Sequence, residues 1–366
     1  MVRTLNISFF SGFFIITAKR YNQQTYYEQA GESVRKWKGF TLKAADGSIA
    51  YLFNDKANKM EEYFGLHRGK VMARLMVCYD VLNELIVLGR MDKIKTSENA
   101  IVYDWLDTLQ AEMSETERSL MLYDAKFAGF RMIYEHLERK LDFVMRSSPE
   151  FSIQIKRFVE SGKKQQIIDM HPTTQAVKEM QELGYSINMD TRLKVRLVRI
   201  ELADGKIEVL ITSLLDKKKY PHSDFQPLYQ LRWGSETCYD TLKNKLQIEV
   251  VSGHSPEAVL QDFHAALMLS NLQSVVEQEC RKEVEQISGR RKYDYAVNEN
   301  VAIGCMKHRV VQLFISEQPE EILDQLKVLF IKHTEPIRPD RSLPRIKKIQ
   351  HLNGKYKTQK NYRRAI

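Results

Sequence analysis

Hydrophobic positions in the first 146 residues gather into short runs parted by polar turns. Phe40-Thr-Leu-Lys-Ala-Ala-Asp46 and Ile49-Ala-Tyr-Leu-Phe53 read as strands on either side of an Asp-Gly step. Val71 to Tyr79 and Glu84 to Gly89 read as two more, around a polar turn at Asn83. The period then changes: Ile101, Trp105, Leu106 and Leu109 recur at helical spacing, which predicts a helix over Glu98 to Leu109. Ser119-Leu-Met-Leu-Tyr-Asp124 is a short unbroken apolar run, the mark of a strand covered on both faces. A helix over Phe127 to Lys140 leads to a further strand, Asp142-Phe-Val-Met-Arg146. This order implies an α/β architecture, a mixed sheet with packed helices.

The middle of the chain changes character. Leu193-Lys-Val-Arg-Leu197 alternates, Ala203-Asp204-Gly205-Lys206 turns, and Ile207-Glu-Val-Leu-Ile211 returns, a β-hairpin signature inside what reads as a β-rich insertion. Beyond Pro227 the pattern is helical throughout. Ser255 is placed to cap, and Pro256 to open, a long amphipathic helix carrying Val259, Leu260, Phe263, Leu267, Val275 and Val276.

Composition adds little until charge is mapped along the chain. The 366 residues carry 56 Lys+Arg against 47 Asp+Glu, a net charge of +9, and 43% are hydrophobic, so a disordered or fibrous chain is excluded. From Arg341 to Ile366 there are nine basic residues and no acidic one, so residues 1–340 are neutral with 47 of each sign. The basic character belongs to a tail, a segment suited to phosphates or, equally, to solubility. Four scattered cysteines (Cys78, Cys238, Cys280 and Cys305) fit neither a disulfide framework nor a zinc ribbon, and they suit a reducing cytoplasm. The uncharged stretch Thr4 to Ala18 is shorter than the roughly 20 residues that span a bilayer. It also lacks a small-residue cleavage site, so it reads as a partly buried helix or irregular start and no membrane association is expected.

Common chemical motifs are absent. Gly65-Leu-His-Arg-Gly69-Lys70 is too short for a phosphate-binding loop and is followed by Val71, not by Ser or Thr. The informative segment is Leu228 to Lys243. Advancing about 100° per residue, Tyr229, Arg232, Glu236 and Lys243 share a stripe about 60° wide, with Leu231, Cys238, Leu242 and Leu246 roughly opposite. A carboxylate flanked by a phenol, a guanidinium and an ammonium suits a metal ligand beside a polyanion. On geometry alone the commoner explanation is a solvated helix face with routine ion pairs.

The spacing Y-x2-R-x3-E-x6-K at these four residues resembles the signature of DDE transposases of bacterial insertion sequences. It marks the subgroup whose ribonuclease H-like core is interrupted by a β-rich insertion. Leu228-Tyr-Gln-Leu-Arg-Trp233 and Gly253-His-Ser-Pro-Glu-Ala-Val-Leu-Gln-Asp-Phe263 are similar to that subgroup too. The resemblance, which runs from about Trp37 to the C-terminus, implies two earlier aspartates. Asp46, in Ala44-Ala-Asp-Gly-Ser48, resembles the family's first; by itself it reads as a turn former. Asp124 resembles the second; by itself it reads as a helix N-cap. Asp80, in Cys78-Tyr-Asp80, is taken as structural. The three tryptophans offer no obvious base-stacking residue.

The resemblance implies that Asp46, Asp124 and Glu236 hold Mg2+ or Mn2+, two ions, near the scissile phosphate. One ion would activate water or a 3′-hydroxyl and the other would stabilise the leaving oxygen. Tyr229, Arg232 and Lys243, with Arg345, Lys347 and Lys348 of the tail, are the expected DNA contacts. The expected activity is cut-and-paste cleavage and strand transfer at insertion-sequence ends, with inverted-repeat and target DNA as partners and at least a dimer when ends are paired. Expected divisions are an N-terminal remnant at 1–37, core at 38–146, insertion at 147–225, second core part at 226–300, and a helical region with basic tail at 301–366. Because 45 residues precede Asp46, where the family usually carries a helical DNA-binding domain, the alternative is a truncated, inert or inhibitory derivative that still binds DNA or dimerises.

Overall fold

The computed structural model describes residues 34–111, 118–202 and 204–338. The N-terminal stretch Thr4 to Ala18 and the basic tail, including Arg345, Lys347 and Lys348, lie outside these residues. Within them the chain divides into two compact units, one formed by 34–49 and 73–239 and the other by 50–72 and 240–338.

The first unit is built on a mixed sheet with flanking helices, the ribonuclease H-like arrangement. Its strands are β1 (Phe40–Tyr51), β3 (Lys70–Asp80), β4 (Leu85–Lys93), β5 (Arg118–Tyr123), β6 (Asp142–Ser147), β7 (Gln165–Met170), β8 (Leu193–Glu201) and β9 (Ile207–Thr212), in the order β4-β3-β1-β5-β6-β9-β8-β7. β1, β5 and β6 run parallel, whereas β4 pairs antiparallel with β3 and β9, β8 and β7 follow antiparallel to one another. The strands of the 147–225 block therefore extend the sheet at the β6 edge. Helices α2 (Glu98–Ala111), α3 (Phe130–Glu138), α4 (Ile153–Glu160) and α5 (Thr174–Glu182) pack on one face, and α6 (Phe225–Gln230) on the other.

Strand alternation sorts the side chains between the two layers. Met121, Tyr123, Phe143, Met145, Val195 and Leu197 join the layer under α2 to α5. Leu120, Leu122, Val144, Val198 and Leu210 join Phe225, Leu228 and Tyr229 on the opposite face. Both faces of the central strands are thus covered, which is why β5 and β6 read as unbroken apolar runs.

One expectation needs revision: the Asp46-Gly47 step is no turn, because β1 runs through it as one twelve-residue strand. Asp80, by contrast, takes the structural part expected of it. It is fully buried and its carboxylate accepts from the backbone N–H groups of Leu82 and Asn83 and from Asn83 Nδ2, closing the β3–β4 turn.

The second unit is mainly helical. α1 (Met60–Phe64) precedes the two-residue strand β2 (Leu66–His67), which pairs antiparallel with Lys70 and Val71, so the phosphate-loop look-alike is a tight hairpin. α8 (Pro256–Glu279) begins as the sequence predicts: Ser255 accepts from Ala258 N–H and Pro256 occupies the first turn. It packs with α10 (Glu299–Ile315) and α11 (Pro319–Lys332) through Ala302, Ile303, Met306, Leu326 and Phe330, all buried, while α9 (Arg281–Ser288) buries Val284. The run is not wholly helical, since β10 (Tyr295–Val297) and β11 (Thr334–Pro336) form a small antiparallel ribbon.

Candidate active site

Two aspartates meet because of register. β1 and β5 are parallel with Ala45 opposite Tyr123, so the next residue on each strand is Asp46 and Asp124. The carboxyl ends of parallel strands are where open α/β sheets place their sites. Asp124 also caps the 3₁₀ turn Ala125–Phe127, accepting from Ala125 N–H. Its backbone is fixed from both layers. Tyr229 donates its hydroxyl to Tyr123 O at 3.3 Å, and the Tyr123 hydroxyl lies 3.0 Å from His136 Nε2. His136 is fully buried and its Nδ1 lies 2.7 Å from Met132 O; burial pushes its pKa down to about 4 despite that bond.

Glu236 comes from a segment that is no single helix. After α6 come a 3₁₀ turn (Leu231–Trp233), α7 (Gly234–Asp240) and a π turn (Thr241–Lys245). Tighter and wider turns rotate side chains by more and less than about 100° per residue, so the uniform stripe does not persist. Tyr229 and Arg232, expected on the open face, are buried, and Leu231, expected to pack, is exposed. Glu236 faces solvent with its side chain half exposed. Lys243 falls in the helical unit, on the π turn, with its ammonium 3.9 Å from Glu249 Oε1; burial lowers its pKa against the pull of that carboxylate.

Cations join the three carboxylates. Arg232, its side chain only 7% exposed, reaches Glu236 Oε1 at 3.2 Å and Asp46 Oδ2 at 3.8 Å. Lys126 Nζ lies 3.0 Å from Asp46 Oδ1 and 2.6 Å from Glu98 Oε2. Arg146 lies 2.5 Å from Asp124 Oδ1 and 2.6 Å from Glu208 Oε1. Desolvation raises the Asp124 pKa, but the Ala125 N–H bond and the charges of Arg146 and Arg232 outweigh it and leave it below the ordinary carboxylate value. α7 adds neutral supports: Ser235 Oγ lies 3.3 Å from Asp46 Oδ2, and Tyr239 donates to Asp46 O at 2.8 Å. Among the described residues no three His, Cys, Asp or Glu side chains stand close enough together to hold a metal ion. The three carboxylates are connected through Arg232 and its field, not through direct proximity.

Sequence reading missed Lys126, Arg146, Glu98 and Glu208. A usable signal existed for two of them, since Lys126 follows Asp124 by two residues and Arg146 lies near the end of β6, the strand beside it. The tryptophans also separate by exposure. Trp105 is buried, Trp37 stacks on Tyr220, and Trp233 is 60% exposed beside Arg232.

The chain belongs to the transposase DDE domain family, whose profile matches residues 67–272, and is thereby a DNA-cleaving and strand-transferring enzyme. It is a DNA transposase. It is similar to transposase InsG for insertion sequence element IS4 of Escherichia coli (strain K12), with 23% identity over 323 residues that cover 85% of this chain and 68% of that one. A cryo-EM structure of the piggyBac transposase synaptic complex with hairpin DNA overlays with a TM-score of 0.42 and 11% identity, covering 92% of this chain and 77% of that one. No helix among the described residues is long and apolar enough to cross a membrane.

Proposed function

We propose that Asp46, Asp124 and Glu236 are the catalytic carboxylates of a cut-and-paste transposase acting at the inverted-repeat ends of its element. The observation that carries this reading is the parallel register that sets Asp46, within β1, beside Asp124, just past the end of β5, with Glu236 tied to Asp46 through Arg232. Asp46 precedes the matched residues 67–272, so its assignment rests on that register. The chemistry of the donor set, three hard carboxylate oxygens, suits Mg2+ or Mn2+ and no softer metal, and binding would have to draw together side chains that stand apart in this structure. Two such ions, when bound, supply the activated attacking oxygen and neutralise the leaving one.

The chain's own side chains do the rest. Arg146 and Arg232 favour the ionised form of Asp124 and present positive charge beside the carboxylates, where backbone phosphates are positioned. Tyr229 spends its hydroxyl on Tyr123 O, so it supports the Asp124 strand end from below. Trp233 offers an open indole for a base to stack on. Lys243 and the tail residues Arg345, Lys347 and Lys348 are assigned to phosphates farther along the DNA, the paired ends are held by two copies, and the work is done in the cytoplasm.

The full chain incubated with DNA carrying the element's terminal repeats and Mg2+ or Mn2+ should cut at the repeat ends. Glu236→Gln should lower that cleavage by about a thousandfold or more. Undiminished cleavage by the variant would sink the assignment. Cutting without preference for ends would mark a general nuclease, and binding without cutting an inhibitory derivative.

A further inference from the structure

We propose that Lys126 is the resident counter-cation of the carboxylate site, held there by Glu98, and that a divalent ion must displace it to reach Asp46. The inference rests on the reading of Asp46 as a metal ligand. Its ammonium sits between Asp46 Oδ1 at 3.0 Å and Glu98 Oε2 at 2.6 Å, so one oxygen of that aspartate is already engaged. Glu98 is the first residue of α2, and its other oxygen is fixed by Arg74 at 2.9 Å. The backbone makes room for it: a Cβ at position 47 would fall 2.3 Å from Glu98 Cδ and 2.5 Å from each carboxylate oxygen. Gly47, next to Asp46, is therefore the residue that lets this fourth carboxylate approach.

Of the three cations at the site, Lys126 is the one suited to leave. Arg232 is nearly buried and Arg146 holds its two carboxylates on separate prongs of a planar fork, whereas Lys126 bridges its two through a single point charge on a flexible stem. Where it is partly buried, its charge is met by two carboxylates, Asp46 and Glu98. Displacement keeps the local charge close to balance as the ion enters, and Lys126 remains two residues from Asp124, free to meet a DNA phosphate. Glu98 is thus a positioning residue acting through Lys126.

Mn2+ binding to the full chain, read by titration calorimetry or by the EPR signal of free Mn2+, tests this apart from catalysis. Asp46→Asn should weaken binding to the wild-type chain. If it does not, the metal-ligand reading falls and this inference with it. Given that dependence, Lys126→Met should bind Mn2+ about fivefold more tightly, the scale of a partly exposed ion pair, while melting at a lower temperature without metal. Lys126→Gln serves the same comparison should the Met variant not fold, and Lys126→Arg, which keeps the charge, should gain nothing. In a Glu98→Gln background the gain from Lys126→Met should shrink, because Lys126 is no longer held in place. Equal or weaker binding by Lys126→Met overturns the displacement, and an undiminished gain without Glu98 overturns the anchoring.

Discussion

In the proposed site the two aspartates come from the sheet and the glutamate from a helical segment, by different means. Asp46 and Asp124 sit where a parallel register ends, with side chains 13% and 26% exposed, and each is bound by a cation that is itself anchored on a second glutamate. Glu236 is half exposed on a segment that changes helix type three times, with Arg232 at 3.2 Å as the link to the rest of the site. Sheet register fixes a carboxylate through the hydrogen-bonded ladder, so it is precise before any ligand arrives. A solvent-facing helix residue is placed by one ion pair and can shift by a rotamer. The pair of aspartates is therefore the frame of the site, and Glu236 is the part that can adjust.

The strongest test of that contrast is Arg232, which serves both halves. Its guanidinium is nearly buried and lies 5.8 Å from the Tyr229 ring centroid as well as against Asp46 and Glu236. Arg232→Met should cost about 2–3 kcal/mol in chemical denaturation, because partly buried carboxylates lose their partner while Lys126 still supports Asp46. Glu236→Gln, removing an exposed partner of the same arginine, should cost less than about 1 kcal/mol. Equal losses for the two would erase the distinction between frame and adjustable part. Arg232→Lys keeps the charge without the fork and should fall between them.

The aspartate frame was the legible part of the site. β5 and β6 announce themselves as apolar runs because both faces are covered, and Asp124 closes such a run, so its position at a strand end could be read directly. Asp46 was harder: Asp-Gly spells a turn locally, yet β1 stays extended through it and beyond the last residue paired with β5. The Glu236 segment was legible as a motif but not as geometry. A uniform helix predicts an open Tyr229 and a packed Leu231, whereas the 3₁₀ turn at Leu231–Trp233 produces the reverse. Glu98 and Glu208 stayed invisible as site residues because they come from other elements, and tertiary pairing is written in no local pattern.

A smaller effect should appear in the acid range, through the histidine under the Asp124 strand end. The His136 pKa is lowered from 6.5 to about 4 by burial, so the folded chain binds fewer protons than the unfolded chain between those values. Its contribution is complete above the unfolded value and is lost as pH falls toward the folded one. The cost should reach about 2 kcal/mol by pH 5. His136→Gln should flatten stability against pH over this window, at a lower stability near neutrality since Tyr123 loses its ring partner. If the pH dependence from 7 to 5 is unchanged, His136 is not the group that titrates.

The smallest effect expected is at Gly47, where the frame touches Glu98. An alanine Cβ would meet the Glu98 carboxylate at 2.3–2.5 Å, and what must give is the end of a side chain 15% exposed and held by Arg74 and Lys126. Gly47→Ala should therefore cost about 1 kcal/mol, the scale of the ion pairs disturbed, and not the larger price of a backbone clash. Alanine in an extended strand otherwise restricts the unfolded chain and stabilises. In a Glu98→Ala background the same substitution should be neutral or stabilising, and the double-mutant cycle isolates the contact. A loss that persists without Glu98 would mean that β1 itself requires glycine there, and the close approach of the fourth carboxylate would be incidental to the frame.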